Sequence, residues 1–103
     1  MNPLTPEIEH RVTALEAQAV VNDFLSNCLP DCFTANIAKW ADDRWRVPVI
    51  LTYPRIGSVG EVGEVQVDAE MAAILSHTPL ELIKQKGIDL YKANQDAIEA
   101  AFL

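Results

Sequence analysis

The segment Trp45-Arg46-Val47-Pro48-Val49-Ile50-Leu51-Thr52-Tyr53 decides the fold, because its apolar side chains alternate along the chain. This alternation of β-branched and aromatic residues predicts a strand over residues 45–53 with one face in the core. The predicted core face carries Trp45, Val47, Val49, Leu51 and Tyr53. Proline has no N–H to donate to a neighbouring strand, so Pro48 predicts an edge strand or a bulge at that point.

Two further strands are predicted after a turn-rich link at residues 53–60. Residues 61–68 carry Val65 and Val67 in phase, whereas Val62 is out of phase, so Gly63 is expected to mark a bulge. A turn at residues 68–70 leads to a short strand over residues 73–77. The simplest arrangement is a three-stranded antiparallel meander. Residues 30–43 before it read as a connector, with strand character at 33–40 and a turn at Ala41-Asp42-Asp43.

An N-terminal helix is predicted to start at Thr5-Pro6-Glu7 and to run to about Cys28, where Leu29-Pro30 ends it. Its apolar residues occupy two sides, which predicts two neighbours, a bent helix or burial near the end of the helix. One side is a seam of Ile8, Val12, Leu15 and Ala19, and the other carries Val20, Val21, Phe24, Leu25 and Cys28.

A long C-terminal helix is predicted from Pro79 to the end, with Thr78 and Glu81 forming a capping box. Gly87 within it predicts a weak point or a close packing contact. A helix of this length, about 36 Å, exceeds the span of short strands. Its apolar end, residues 98–103, is therefore expected to dock on the first helix of a second copy. The alternative is a fold back onto its own core at Gly87 or Asn94. The whole chain, residues 1–103, is predicted to be one α+β domain.

Composition narrows the classes of function. The chain has 103 residues and a net charge of -7, which argues against a general nucleic-acid or anionic-membrane binder. The apolar runs are too short to span a membrane, and the start has no basic region followed by an apolar stretch. Two cysteines make no disulfide framework. These features predict a cytoplasmic protein.

The middle of the chain resembles a PepSY-type module, a helix followed by an antiparallel hairpin. The resemblance covers roughly residues 7–77 and is carried by Trp45-Arg46-Val47, Gly60-Glu61-Val62, Val65-Gln66-Val67-Asp68-Ala69 and Ile74. It implies a hairpin with a tight turn, and PepSY-like domains are implicated in protease inhibition and regulation. Where that family's turn usually carries Thr-Gly, this chain has Met71-Ala72. Ala72 is therefore expected at a position that glycine would occupy more easily.

Motifs with catalytic or ligand-binding potential have a structural reading that we favour. Cys28 and Cys32 could supply half a metal site, but no second ligand pair accompanies them, and we predict neither metal nor cofactor. The glycine-rich residues 57–63 lead into a strand rather than a helix, which favours a hairpin over a phosphate loop. Ser76 and His77 are neighbours in a strand and should point to opposite faces. Asp42 and Asp43 read as a turn. We therefore predict that the chain is not an enzyme.

One basic and aromatic cluster is the candidate binding site. It consists of Trp40, Arg44, Arg46 and Arg55. Arg44 and Arg46 should share the strand face opposite Trp45 and could hold an acidic peptide or a phosphate through forked hydrogen bonds. The alternative is that the arginines neutralise the protein's own acidic segments.

The leading hypothesis for function is a non-enzymatic interaction or regulatory module that binds another protein as a homodimer. The two-sided first helix, the edge strand and the lack of a catalytic motif support it. The rival hypothesis is a small-molecule-binding protein or enzyme with a pocket between helix and sheet that includes Trp40, Tyr53 or His77.

Overall fold

The computed structural model describes residues 11–101 and shows an α+β architecture with helices on one face of a curled antiparallel sheet. The helices are α1 (Ala14–Cys28), α2 (Leu80–Ala93) and α3 (Gln95–Ala100). The strands are β1 (Phe33–Ala35), β2 (Lys39–Ala41), β3 (Arg44–Tyr53), β4 (Gly57–Asp68) and β5 (Ile74–His77).

Strand β3 lies in the middle of the sheet and its alternating residues face the core as predicted. Trp45, Val47, Val49 and Leu51 are buried, whereas Tyr53 at the end of the strand is only half-buried. β3 pairs with β4 along its full length, and β5 pairs with β4 on the far side. The predicted hairpin and third strand are therefore present.

The prediction of a three-stranded meander was incomplete, because the sheet contains two further strands, β1 and β2. Both short strands pair with β3 on the side away from β4, and Asn36–Ala38 separates them. Pro48 faces this interruption, where its carbonyl oxygen accepts a hydrogen bond of 2.8 Å from the N–H of Asn36. A ladder that is broken opposite proline requires no N–H from it, which explains how Pro48 fits inside a central strand.

Strand β4 contains the bulge expected near Gly63. Val49 pairs with Gly63 and Ile50 with Glu61, so Val62 is the extra residue. The bulge turns Val62 inward, and it is buried together with Val65 and Val67 although it is out of phase with them. A second register shift leaves Val59 as an extra residue nearer the start of the strand.

Helix α1 begins later than the sequence pattern predicted. Residues 11–13 are not helical, and the capping box lies at Thr13 and Glu16, whose side chains each accept the other's backbone N–H at 3.1 and 3.0 Å. The predicted start at Thr5 lies outside the described residues. Before the helix, the carbonyl oxygen of Val12 accepts a buried 2.8 Å hydrogen bond from the indole N–H of Trp45, which fixes this segment against the sheet.

One stripe of α1 packs on the sheet. Ala17, Val21 and Leu25 recur every four residues and are buried. Two members of the predicted seam, Leu15 and Ala19, lie on the exposed side of the same helix. The helix ends before Pro30, as predicted.

The predicted capping box of the C-terminal helix is wrong. α2 begins at Leu80, and no side chain caps it. The hydroxyl of Thr78 instead accepts a 3.0 Å hydrogen bond from the N–H of Glu64, and the Thr78 N–H donates to the Glu64 carbonyl at 2.9 Å. Thr78 therefore continues the pairing with β4, and this contact uses the oxygen that a cap requires.

The predicted single long helix is also wrong, because it breaks at Asn94 into α2 and α3. The side-chain amide of Asn94 donates to the carbonyl of Leu90 at 2.9 Å. α3 buries Ile98 to 2% exposure, and the carbonyl of Ala101 accepts a 3.0 Å hydrogen bond from Arg55 at the β3–β4 turn. The break at Asn94 agrees with the predicted alternative, although Ile98 lies outside the main core cluster that the end was expected to cover. Residues 102 and 103 lie outside the described part.

Three non-glycine residues adopt the left-handed backbone region. Asp42 and Asp43 form the two-residue turn between β2 and β3, with φ of 55° and 61°, the pattern of a type I′ hairpin. Ala72, in the turn before β5, has φ of 56° and confirms that this position suits glycine. Among residues 11–101, no helix is long and apolar enough to cross a membrane.

Candidate functional site

An open groove of about 900 Å³ lies between the end of α1, the strands β1 and β3, and one side of α2. We call it the interhelical groove. Its walls are Ser26, Asn27, Cys28, Leu29, Pro30, Cys32, Phe33, Leu51, Tyr53, Lys84, Gly87, Ile88, Tyr91, Lys92 and Gln95. Most of this surface is apolar, which is typical of a binding site rather than of an ordinary protein surface.

The wall between α2 and β1 depends on Gly87. A Cβ atom at this position would lie 2.7 Å from Cζ and 2.9 Å from Cε1 of the Phe33 ring. The glycine therefore lets α2 approach the ring directly, which confirms the close packing contact predicted for Gly87. Gly60 and Gly63 act in the same way further along α2, where added Cβ atoms would lie 3.0 Å from Leu90 and 2.8 Å from Ile83. Gly60 and Gly63 therefore serve helix packing within a strand, whereas an added Cβ at Gly57 would meet no atom within 4 Å.

Two tyrosines close one end of the groove. The rings of Tyr53 and Tyr91 lie 6.4 Å apart at an interplanar angle of 56°. Burial, followed by the nearby charges of Cys32 and Tyr91, raises the pKa of Tyr53. The hydrogen bond from the Tyr91 hydroxyl to Glu99, at 3.1 Å, together with burial and the charge of Glu99, raises the pKa of Tyr91. Both side chains are therefore neutral phenols near pH 7 and offer hydroxyl groups, not phenolates.

The two cysteines are free thiols on the wall of the groove. Burial raises the pKa of Cys32; a backbone hydrogen bond lowers it and the charge of Asp31 raises it further. A thiol held in its protonated form is a poor nucleophile and a poor metal ligand. No group of three or more metal-ligating side chains occurs within residues 11–101.

The charged side chains that line the groove have the opposite sign to the net charge of the chain, although Glu99 lies at its end, where it accepts hydrogen bonds from Tyr91 and Gln95. The protein carries 15 acidic and 8 basic residues. The part of the groove built by residues 11–101 is nevertheless lined by Lys84 and Lys92 and by no aspartate or glutamate. Lys84 makes a loose ion pair of 3.9 Å with Glu81 on the exposed surface of α2. The groove thus combines apolar walls with a cationic rim.

The structure does not bring the four predicted binding residues together. Trp40 pairs with Trp45 across β2 and β3, and their rings make an edge contact at 5.1 Å on the core side of the sheet. Arg44 and Arg46 lie on the opposite face, as predicted from strand alternation. Arg55 is at the β3–β4 turn, bound to the carbonyl of Ala101.

The two sheet arginines contact side chains of the protein itself. Arg46 binds both carboxylate oxygens of Glu64 at 3.0–3.1 Å, and Asp42 lies 3.7 Å away. Arg44 donates to Gln66, whose amide in turn donates to Glu64, each at 3.0 Å. Burial raises the pKa of Glu64, but hydrogen bonds from Gln66 and Arg46 and the charge of Arg46 outweigh it and leave the pKa lowered. This network supports the alternative reading, in which arginines neutralise the chain's own acids.

The remaining polar candidates lie away from the groove. His77 packs its ring on Phe24 at 5.1 Å, and its Nδ1 lies 2.7 Å from the carbonyl oxygen of Thr78. Ser76 is its neighbour in β5, and the two do not form a nucleophile–base pair. Asp42 and Asp43 form a turn, as predicted.

The rival hypothesis placed a pocket between helix and sheet with Trp40, Tyr53 or His77 in it, and of these three the groove is lined by Tyr53 alone. The wall formed by α2 was not predicted, although one signal for it was present. Lys84, Ile88, Tyr91, Lys92 and Gln95 recur at helical spacing beside the buried stripe of α2. Their mixture of charged and apolar side chains is also typical of an exposed helix face. Only the packing of α2 beside the end of α1 gives this second stripe a wall opposite it.

Comparison with known proteins returned no match. No family model matches the chain, and no curated protein or solved structure resembles it significantly. The resemblance to PepSY-type modules stays a prediction, and function is argued from the geometry of the chain.

Proposed function

We propose that the protein is a non-enzymatic, cytoplasmic interaction module that binds an apolar segment of another protein in the interhelical groove. The observation that carries the proposal is the combination of an open apolar groove with a rim of lysines in an acidic chain. A groove beside a helix is a common way to receive a peptide segment, whereas a small ligand is usually enclosed more completely. An acidic partner segment would match the lysines.

The chemical state of the groove supports a binding role over catalysis. Cys32 and the tyrosines are held in their protonated forms, and His77 lies elsewhere in the fold. None of these is arranged as an activated nucleophile with a base. The rival proposal, a small-molecule site or enzyme, keeps one supporting observation, because Tyr53 lines the groove as that hypothesis expected.

The test compares two exposed aliphatic residues of α2. Ile88 lines the groove and is 46% exposed, whereas Leu82 is 58% exposed and does not line it. A photoreactive phenylalanine analogue is placed at each position in turn, and crosslinked segments are identified by mass spectrometry in the protein's own cells. The segment is then synthesised and its affinity for the purified chain is measured.

The expected result is a crosslink from position 88 to one apolar segment of a partner protein. Ile88→Asp should weaken binding of the synthetic segment at least about tenfold, and Leu82→Asp should leave it unchanged, since one buried aliphatic contact is worth more than a kilocalorie. Equal affinity of the two variants would contradict the proposal. A small molecule captured at position 88 in place of a protein would favour the rival.

We also propose that the protein is a homodimer formed through the outer side of α1. Leu15 is 77% exposed and Ala19 lies one turn further on the same exposed side. The C-terminal end no longer supports this proposal, because Ile98 is buried within its own chain. Light scattering at micromolar concentration should give twice the 11.4 kDa chain mass, and Leu15→Glu should give the monomer while Leu82→Glu does not. A monomer mass for the unaltered chain would refute it.

A further inference from the structure

We infer that the partner segment is an amphipathic helix that carries two carboxylates about two turns apart, one for Lys84 and one for Lys92. This inference rests on the proposed function and specifies the partner. Lys84 and Lys92 are eight residues apart on one helix and both line the groove, with Ile88 between them. At 1.5 Å per residue their backbone positions are about 12 Å apart along the axis.

The groove favours a helix over an extended segment because most of the backbone groups on the outer edge of β1 are already hydrogen-bonded within the described residues. An extended peptide must pair its backbone with a strand, as in β-augmentation. The edge of β1 is already used: the N–H of Ala35 donates to the side chain of Asn22 at 2.8 Å and the Ala35 carbonyl accepts from Gln18 at 3.2 Å. The N–H of Phe33 donates to Pro30 at 3.1 Å. A helix pairs its own backbone groups and needs only side-chain contacts.

The spacing of the lysines sets the pattern of the partner. On a helix that runs along α2, residues separated by seven or eight positions lie roughly 10.5–12 Å apart on one side. Apolar residues three or four positions from each acid then fall between them, over Ile88 and Phe33. Among residues 11–101 Lys92 has no ion-pair partner, and the Glu81 contact of Lys84 is long and exposed. Both ammonium groups are therefore available for a ligand.

Lys86 supplies a control of the same charge on the same helix. It lies on the other side of α2, beside Glu61 and Gly63, and does not line the groove. Lys86→Glu therefore changes the net charge of the protein by the same amount as either groove substitution. Any effect of overall charge is shared by all three variants, and only a contact in the groove separates them.

The experiment is selection from a displayed library of helical peptides. The library has a fixed amphipathic pattern, with the positions that flank the apolar stripe randomised among Glu, Gln and Lys. Peptides that bind the unaltered protein but not the Ile88→Asp variant are sequenced. We expect Glu to be enriched at two positions seven or eight residues apart, and the double variant Lys84→Glu/Lys92→Glu to select Lys there instead. Affinity for a peptide with two glutamates should fall by about tenfold in the double variant and by a smaller factor in Lys84→Glu or Lys92→Glu, whereas Lys86→Glu, the charge-matched control for each single variant, has no effect.

Failure of the inference can be told from failure of the proposed function. Selected peptides that require Ile88 but show no preference for charge would refute the inference about the two carboxylates. They would still agree with the proposed interaction module. Selected peptides that require Ile88 but are rich in proline and lack a helical pattern would refute the claim that the partner segment is a helix. If no peptide depends on Ile88 while laurate binds the chain in an Ile88-dependent way, the groove is an acyl-chain site and both proposals are overturned.

Discussion

Substitution of Ala72 by glycine tests the turn between β4 and β5 directly. Ala72→Gly should stabilise the protein, whereas Ala73→Gly at the next position should destabilise it. Ala72 has φ of 56°, whereas Ala73 is not among the residues with positive φ. Glycine is favoured in the first conformation and disfavoured in the second. The two substitutions remove the same methyl group from adjacent positions, so each is the control for the other.

The magnitude follows from three contributions at Ala72. A left-handed conformation costs a non-glycine residue about 1–2 kcal/mol, which glycine relieves. Glycine also gains freedom in the unfolded chain, which costs the folded state about 0.4–1 kcal/mol. The methyl group is half-buried against the core, and its loss costs roughly 0.4 kcal/mol. The net expectation for Ala72→Gly is a stabilisation of roughly 0.5 kcal/mol, with an upper limit of about 1 kcal/mol.

At Ala73 only the unfavourable contributions act. Ala73 is exposed, so Ala73→Gly should destabilise the protein by about 0.5–1 kcal/mol. The two variants should therefore differ by about 1–1.5 kcal/mol in the free energy of unfolding, or roughly 5–10 °C in Tm for a domain of this size. Urea unfolding followed by tryptophan fluorescence measures this difference, since Trp45 is buried in the core.

The result that would refute the reasoning is a destabilisation by Ala72→Gly as large as that by Ala73→Gly. It would mean that Ala72 has an ordinary backbone conformation. It would also remove the ground on which this turn resembles the Thr-Gly turn of PepSY-type modules.

Three further predictions concern the core, the groove wall and the sheet network. Val49→Ala should cost about 2 kcal/mol in urea unfolding because Val49 is fully buried, and an unchanged Tm for Val49→Asp would show that the strand face is wrongly assigned. Gly87→Ala should lower the free energy of unfolding, because overpacking against Phe33 costs about 1–3 kcal/mol and exceeds the ~1 kcal/mol gained in helix propensity. In a Phe33→Ala background the same substitution should raise the free energy of unfolding. A decrease in both backgrounds would refute the contact. The lowered pKa of Glu64 means that its ionised form stabilises the fold above its unfolded pKa of about 4.3 and that this contribution is lost as pH falls through the folded value. The unfolding free energies of the unaltered protein and Glu64→Gln should therefore differ at pH 7 and converge as the pH falls through the folded pKa of Glu64, whereas a gap that persists in acid would contradict the ion pair.

Strand β3 was predictable because its signal is local. Alternation over residues 45–53 identifies the buried face without knowledge of the partners, and the phase error at Val62 shows the bulge in β4. β1 and β2 were predicted only as strand character over residues 33–40, because each has three residues, too few to show alternation, and forms by pairing with β3. Their stability depends on contacts distant in sequence, including the bonds from Gln18 and Asn22 of α1 to Ala35.

Two motifs with the same spacing of threonine and glutamate show why a local sequence pattern does not always predict a helix cap. Thr13 and Glu16 have the same threonine and glutamate spacing as Thr78 and Glu81, and both pairs match a capping box. Only the first pair forms one. The hydroxyl of Thr78 is taken by the N–H of Glu64, a contact that exists because β5 and β4 are already paired. A local motif specifies a cap only when no tertiary partner competes for the same oxygen.

The candidate site likewise depends on tertiary contacts that the local sequence pattern does not contain. α2 carries a buried stripe with Ile83 and Gly87 and, beside it, a second stripe with Lys84 and Ile88. The first stripe is explained by the core, since Gly87 brings the helix onto Phe33. The second carries Ile88, which is 46% exposed and lies between the two lysines. We have proposed that a partner segment covers this isoleucine, and the exchange of Lys84 and Lys92 tests that proposal at the level of single charges.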